Sequence, residues 1–140
     1  MGLKGKKNNK VDTIKSKKSH NLVQSFKHAI DGFAYTLKNE KNIKIHLLFT
    51  LLISIGGMIF KITRTEYLIC LTFVALVISL ELVNTAIEEA VDLACPEINP
   101  KAKIAKDVAA AAVFFAACVA SIVGLAIFVP NIIQFIRSFI

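Results

Sequence analysis

Polar and apolar positions along the chain fall into long blocks. Ile45 to Phe60 is apolar with His46 as the main interruption, Tyr67 to Leu80 is apolar and runs on past Glu81, and Val108 to Val129 forms a third block. A helix needs about 20 apolar residues to cross a hydrocarbon core of roughly 30 Å, so the third block spans alone and the first two lie near the lower limit. Ahead of them Leu22, Phe26, Ile30, Phe33 and Leu37 recur at helical spacing, within roughly 80° of one another, with Gln24, Lys27, His28, Asp31, Tyr35 and Lys38 opposite. The pattern predicts an all-α membrane protein with an amphipathic surface helix over 21–38 and transmembrane helices over 43–60, 64–93 and 100–129. Residues 21–140 then form one membrane-embedded domain behind a polar tail, 1–20.

The ends of these helices carry their own signals. Asn21 with Gln24, and Thr63 with Glu66, have capping-box spacing. Asn99-Pro100 reads as an N-cap followed by proline at the first helical position. Between Glu66 and Leu93 there is neither glycine nor proline, so the second span continues unbroken through its acidic end. Gly56 and Gly57 are compatible with close helix packing.

Composition narrows the class. With 55% hydrophobic residues, 19% charged residues and a mean hydropathy of +0.61, the chain does not read as a soluble globule. The net charge of +7 is uneven: eleven lysines precede the first span and Lys101, Lys103 and Lys106 follow the second, while Lys61 and Arg64 stand between spans one and two and Arg137 after the third. The positive-inside rule puts the N-terminus and second connection in the cytoplasm and the C-terminus outside, in a multi-pass protein of the plasma membrane. The lysine tail lacks interleaved aromatics and reads as a segment drawn to anionic lipid, not nucleic acid. Cys70, Cys95 and Cys118 suggest no disulfide framework, and no secretory cleavage pattern is present.

Against this background the run Glu81-Leu82-Val83-Asn84-Thr85-Ala86-Ile87-Glu88-Glu89-Ala90-Val91-Asp92 stands out. Glu81, Asn84, Glu88 and Asp92 fall at roughly 0°, 300°, 340° and 20°, a single stripe on a helix. An ionised group in hydrocarbon costs roughly 2.5–3.5 kcal/mol even on a lenient insertion scale, so such a stripe needs a function. Along a helix rising 1.5 Å per residue, Glu81 falls near the inner hydrocarbon boundary and Glu88 about 10 Å further toward water. Glu40, Glu81, Asn84, Glu88, Lys106 and Asp107 converge on the cytoplasmic boundary. Two of the carboxylates, Glu40 and Glu88, suit Mg2+, which takes one or two carboxylates with water and phosphate oxygens. A further carboxylate and a cation complete what phosphoryl transfer requires. The chain has no Walker loop and no protein-kinase signature, so ATP chemistry would use another scaffold.

The run Glu81 to Asp92, followed by Ala105-Lys106-Asp107-Val108-Ala109-Ala110, resembles the signature of the small integral-membrane diacylglycerol kinases of bacteria. Phe26 to Gly32 and Asn39-Glu40 through Ile45-His46 are similar to that family's N-terminal part. Ile45-His46, Pro96-Glu97 and Ile104 to Asp107 look most like the Gram-positive branch, whose members are undecaprenol kinases. The resemblance implies a homotrimer of three-span protomers with shared active sites, transferring the ATP γ-phosphate to a lipid hydroxyl with Mg2+. It implies Glu81 as catalytic base, Glu40 and Glu88 as metal and nucleotide carboxylates, and Asn84, Lys106 and Asp107 as further site groups. Glu97 and Asn99 match part of the nucleotide contact, Asn99 standing where relatives often have histidine. His28, on the polar face of the surface helix, is a further candidate ATP contact. Undecaprenol is the expected acceptor, with diacylglycerol the alternative. A small conductor or a membrane adaptor are the non-enzymatic readings, but a conductor would distribute its charges through the membrane rather than gather them at one face.

Overall fold

The computed structural model describes residues 22–140, so the expected tail 1–20 and the cap at Asn21 lie outside the described residues. Four helices follow in order: α1 (Leu22–Asn39), α2 (Asn42–Ile59), α3 (Arg64–Ala94) and α4 (Pro100–Arg137). The described chain divides into two units, one ending at Ala34 within α1 and the other Tyr35–Ile140. In the first, Leu22, Val23, Phe26 and Ile30 are exposed large apolar residues.

In the second unit α2, α3 and α4 are each long and apolar enough to cross a membrane. Within the most apolar stretch of each, coverage is 11% for α2, 28% for α3 and 17% for α4, so α3 is the spine even though most of its surface stays uncovered. A soluble protein would not tolerate that much bare apolar surface, whereas hydrocarbon accepts it without penalty. The small core consists of Val77, Val113 and Ala116, with Leu80, Ala117 and Ala120 packed against it. It joins α3 to α4, which pack together far more extensively than α3 does with α2.

Local chemistry fixes the ends. The α2–α3 turn puts Lys61 in the left-handed region at φ 52°, and Thr63 then starts α3 with both bonds of a capping box, Thr63 Oγ1 accepting from the Glu66 amide and Glu66 Oε2 from the Thr63 amide at 2.7 Å. Gly57 gives this turn room, because a Cβ there would approach Ile62 Cδ1 to 3.0 Å and Tyr67 Cδ2 to 3.2 Å and push those side chains aside. Asn99 caps α4, its side chain accepting from the Lys101 amide at 2.9 Å, with Pro100 in the first turn.

The fourth helix outruns its expected end at Val129. Proline removes a backbone donor and normally stops or kinks a helix, yet α4 continues through Pro130 to Arg137. Tertiary partners carry it past the break. Asn131 Nδ2 donates to the Ile127 carbonyl at 2.8 Å and to Glu66 Oε1 at 3.3 Å, and Phe135 meets Phe60 edge to face at 5.4 Å. With Glu66 against Asn131 at one end and Asp92 against Lys106 at the other, α3 and α4 run antiparallel.

Candidate active site

Glu81, Asn84 and Glu88 lie on one face of α3, and the first two are almost completely buried, at 1% and 6% exposure. Glu81 forms the wall of a cavity of about 250 Å³ whose other polar lining comes from Asn42 and His46 of α2 and from Asn84, the rest being apolar residues such as Ala110, Val113 and Phe114 of α4. The charged and polar groups that Glu81 faces are Asn42, His46, Glu40 and Glu88.

Satisfaction of polar atoms separates this site from a packed core. Glu81 Oε1, Glu81 Oε2 and Asn84 Oδ1 are buried and make no hydrogen bond of ordinary geometry among the described residues, although the Asn42 side chain stands near enough to Glu81 for a long one. Native interiors rarely leave such acceptors bare, because each costs about 1–3 kcal/mol. Asn84 uses its amide nitrogen to donate to Glu88 Oε1 at 3.0 Å, which orients that carboxylate and turns the Asn84 oxygen away from it. The result is a row of acceptors that a donor such as a hydroxyl would satisfy.

Nearer the end of α3 the pattern changes from bare acceptors to paired charges. Lys106 of α4 donates to both oxygens of Asp92, at 2.9 and 3.0 Å, and also faces Glu88 and Glu89. Tyr35 Oη donates to Glu89 Oε1 at 2.5 Å, and this bond holds the Tyr35 phenol above its ordinary value of 10.0. Lys103 pairs with Asp107 one turn along α4.

The expected residues do not all meet. Glu40, Glu81, Asn84 and Glu88 form one neighbourhood, with Lys106 at its edge. Asp107 is exposed and engaged by Lys103, Asn99 is engaged as a helix cap, and Glu97 is exposed in the α3–α4 connection. His28 belongs to the first unit. Sequence reasoning did not single out Asn42, read His46 as an interruption and as part of the family resemblance but not as a cavity residue, and gave Tyr35 and Glu89 no site role. The interruption was itself the signal, since a histidine inside an apolar block needs a polar neighbour.

Among the described residues no cluster of three or more His, Cys, Asp and Glu could hold a metal by itself. A nucleotide-borne magnesium ion needs only one or two carboxylates and takes its remaining ligands from water and phosphate; Glu40 and Glu88, both near enough to Glu81 to act on it, are carboxylates of that kind.

A family model described as prokaryotic diacylglycerol kinase matches residues 27–128, which include the cavity and the charged end of α3. The chain belongs to the prokaryotic diacylglycerol kinase family. Among relatives in and around that family, the undecaprenol kinase of Bacillus subtilis (strain 168) is 38% identical over 109 residues, covering 78% of this chain and 89% of that protein. The diacylglycerol kinase of Synechocystis sp. is 34% identical over 115 residues, 81% of this chain and 66% of that protein. That of Haemophilus influenzae is 35% identical over 103 residues, 73% and 86%. No solved structure matches significantly. Family membership and three apolar helices make this prokaryotic diacylglycerol kinase homologue a multi-pass membrane protein.

Proposed function

We propose that the chain, a lipid kinase by family, transfers the γ-phosphate of MgATP to the terminal hydroxyl of undecaprenol, giving undecaprenyl phosphate. The observation that carries the reading is the row of bare acceptors at Glu81 and Asn84 beside a carboxylate pair and a lysine. Glu81 accepts the hydroxyl proton, the freed oxygen attacks the γ-phosphorus, and the bond from that phosphorus to the β–γ bridging oxygen breaks, releasing ADP. Asn84 holds the Glu88 carboxylate in place, and Glu40 and Glu88 would hold the magnesium. Held there, the ion would offset the negative charge of the phosphates. Lys106 exchanges Asp92 for a phosphate oxygen. Glu97, Asn99 and Asp107 are assigned to the nucleotide's periphery on the family resemblance.

In this reading the apolar stripe of α1 lies in the cytoplasmic interface, the N-terminus is cytoplasmic and the C-terminus outside. The working form is a homotrimer with shared sites, in keeping with the large uncovered surface of α3. Undecaprenol is favoured over diacylglycerol because the B. subtilis relative carries that name and aligns over most of its length. Purified protein incubated with labelled ATP, magnesium and each lipid tests this. Labelled undecaprenyl phosphate is the expected product, labelled phosphatidic acid would move the assignment to diacylglycerol, and no labelled lipid would overturn the kinase reading.

A further inference from the structure

A second cavity of about 510 Å³ lies between α2, α3 and α4 and shares Ile45, His46 and Ala117 with the cavity at Glu81. We propose that this groove is the berth of the acceptor's hydrocarbon chain, and that Gly124 is a specificity-determining residue that keeps it wide enough for a methyl-branched chain. The inference rests on the lipid-kinase reading above and adds where the chain lies and what selects it.

Gly124 is the starting observation. Glycine inside a helix costs roughly 0.5–1 kcal/mol relative to alanine, and in membrane helices it is normally repaid by close approach of a neighbouring backbone. Here a Cβ at Gly124 would meet nothing within 4 Å, unlike Gly56 and Gly57, where it would press on Phe128, Ile62 or Tyr67. Gly124 therefore serves no packing within the protomer. What it lines is the groove.

Its length suits a chain lying along the helices. The groove runs along α4 from Ala117 to Phe128, about 16 Å at 1.5 Å per residue, and it joins the cavity at Glu81 through Ile45, His46 and Ala117. The far end has a floor. Phe128 lies close to Gly56 and meets Phe60 edge to face at 6.4 Å. Ser121, on the wall, already donates to the Ala117 carbonyl at 2.8 Å, so its hydroxyl proton is not offered to the groove. An apolar slot opening beside the Glu81 carboxylate suits an alcohol whose hydroxyl sits at Glu81 and whose chain passes His46.

Hydrocarbon already surrounds these helices, so the groove selects by shape and not by hydrophobic transfer. Leucine at 124 would occupy the slot. The experiment compares wild type with Gly124→Leu and Gly124→Ala on undecaprenol and on a short, water-soluble prenyl alcohol. A misfit on the scale of one methylene in an apolar pocket is worth about 10–200-fold, and the ratio of long-chain to short-chain kcat/KM is expected to fall by that factor in Gly124→Leu, with a smaller fall in Gly124→Ala. An independent arm irradiates wild type with a long prenyl alcohol bearing a diazirine on its first isoprene units. Adducts are expected between residues 45 and 53 and between 117 and 128. An unchanged ratio in Gly124→Leu, or adducts confined to other surfaces, would overturn the proposal. So would equal loss on both alcohols together with a changed oligomeric state by native mass spectrometry, which would make the groove a subunit contact. Adducts in the groove of a protein that phosphorylates neither alcohol would uphold the berth and sink the kinase reading.

Discussion

Replacing Glu81 should separate stability from chemistry. Its carboxyl is 1% exposed, and neither oxygen has a hydrogen bond of ordinary geometry among the described residues, so the fold carries a desolvated polar group. An unsatisfied buried polar group costs about 1–3 kcal/mol, and a carboxylate at the centre of a membrane helix roughly 2.5–3.5 kcal/mol. Glu81 lies about 26 Å along α3 from Arg64, close to the edge of a 30 Å hydrocarbon core, so the lower range applies. Methionine has similar volume and no strong acceptor, and fills the same cavity wall without leaving a void.

Glu81→Met is therefore expected to stabilise the protein by about 1–3 kcal/mol. That is a rise of several degrees in Tm, at roughly 2–8 °C per kcal/mol for chains around this size. Turnover should fall by about 10²–10⁴, the contribution of a positioned general base. Glu81→Gln keeps the shape and one acceptor but not the basicity, and should lose turnover to a similar extent. Thermal unfolding of detergent-solubilised protein, followed by helical circular dichroism, gives the first quantity, and label transfer from ATP to lipid gives the second. A methionine variant less stable than wild type, or a glutamine variant with full turnover, would refute the reasoning.

The Tyr35 phenol, raised by its bond to Glu89, favours its protonated form in the folded state. The stability from this bond is fully present below the ordinary value of 10.0 and is lost as pH rises through the raised folded value. In a Tyr67→Phe background, which leaves Tyr35 as the single tyrosine, Glu89→Gln should bring the phenolate absorbance titration down toward 10.0. Asn99→Ala should cost about 0.5–2 kcal/mol in thermal stability and Asn99→Asp far less, as loss and retention of a helix cap require. Lys106→Met should raise the KM for ATP several-fold while leaving thermal stability nearly unchanged, since its partner Asp92 is 64% exposed and solvent screens the pair. Combined with Asp92→Asn its effect on KM should be non-additive, as measured by a double-mutant cycle.

Much of the architecture was legible because it rests on length and hydropathy, which a membrane enforces directly. Three apolar blocks gave three long helices, and the caps at Thr63 and Asn99 were readable because a cap depends on residues within one turn. The end of α4 was not readable, because Pro130 is overridden by contacts with Glu66 and Phe60, about 65 residues or more away in sequence. The stripe Glu81, Asn84, Glu88 could be drawn from periodicity alone. Which of its atoms lack partners could not, because that depends on what α2 and α4 bring opposite them. Asn42 and His46 became site residues only once α2 lay across α3. Glu89 sits about 100° off the stripe and acquires its partner, Tyr35, from a different helix.

The length of α3 is what joins the two halves of the site. At 31 residues it measures about 46 Å, more than a bilayer core of about 30 Å, so a continuous rod must leave the hydrocarbon part-way along its acidic run. Glu81 lies inside that crossing and Glu88 about 10 Å further along the helix, a separation that a lipid hydroxyl on one side and a nucleotide phosphate on the other can bridge only if both approach along the same face. Placing the two carboxylates on separate elements would let relative motion of the helices change the gap. On one unbroken helix, with Asn84 between them bonded to Glu88, the gap is fixed by backbone geometry. In the proposed reaction that fixed spacing would supply the positioning phosphoryl transfer depends on when the protein contributes little covalent chemistry of its own. A glycine or proline introduced between Glu81 and Glu88 should for that reason damage turnover more than its effect on helix stability alone accounts for.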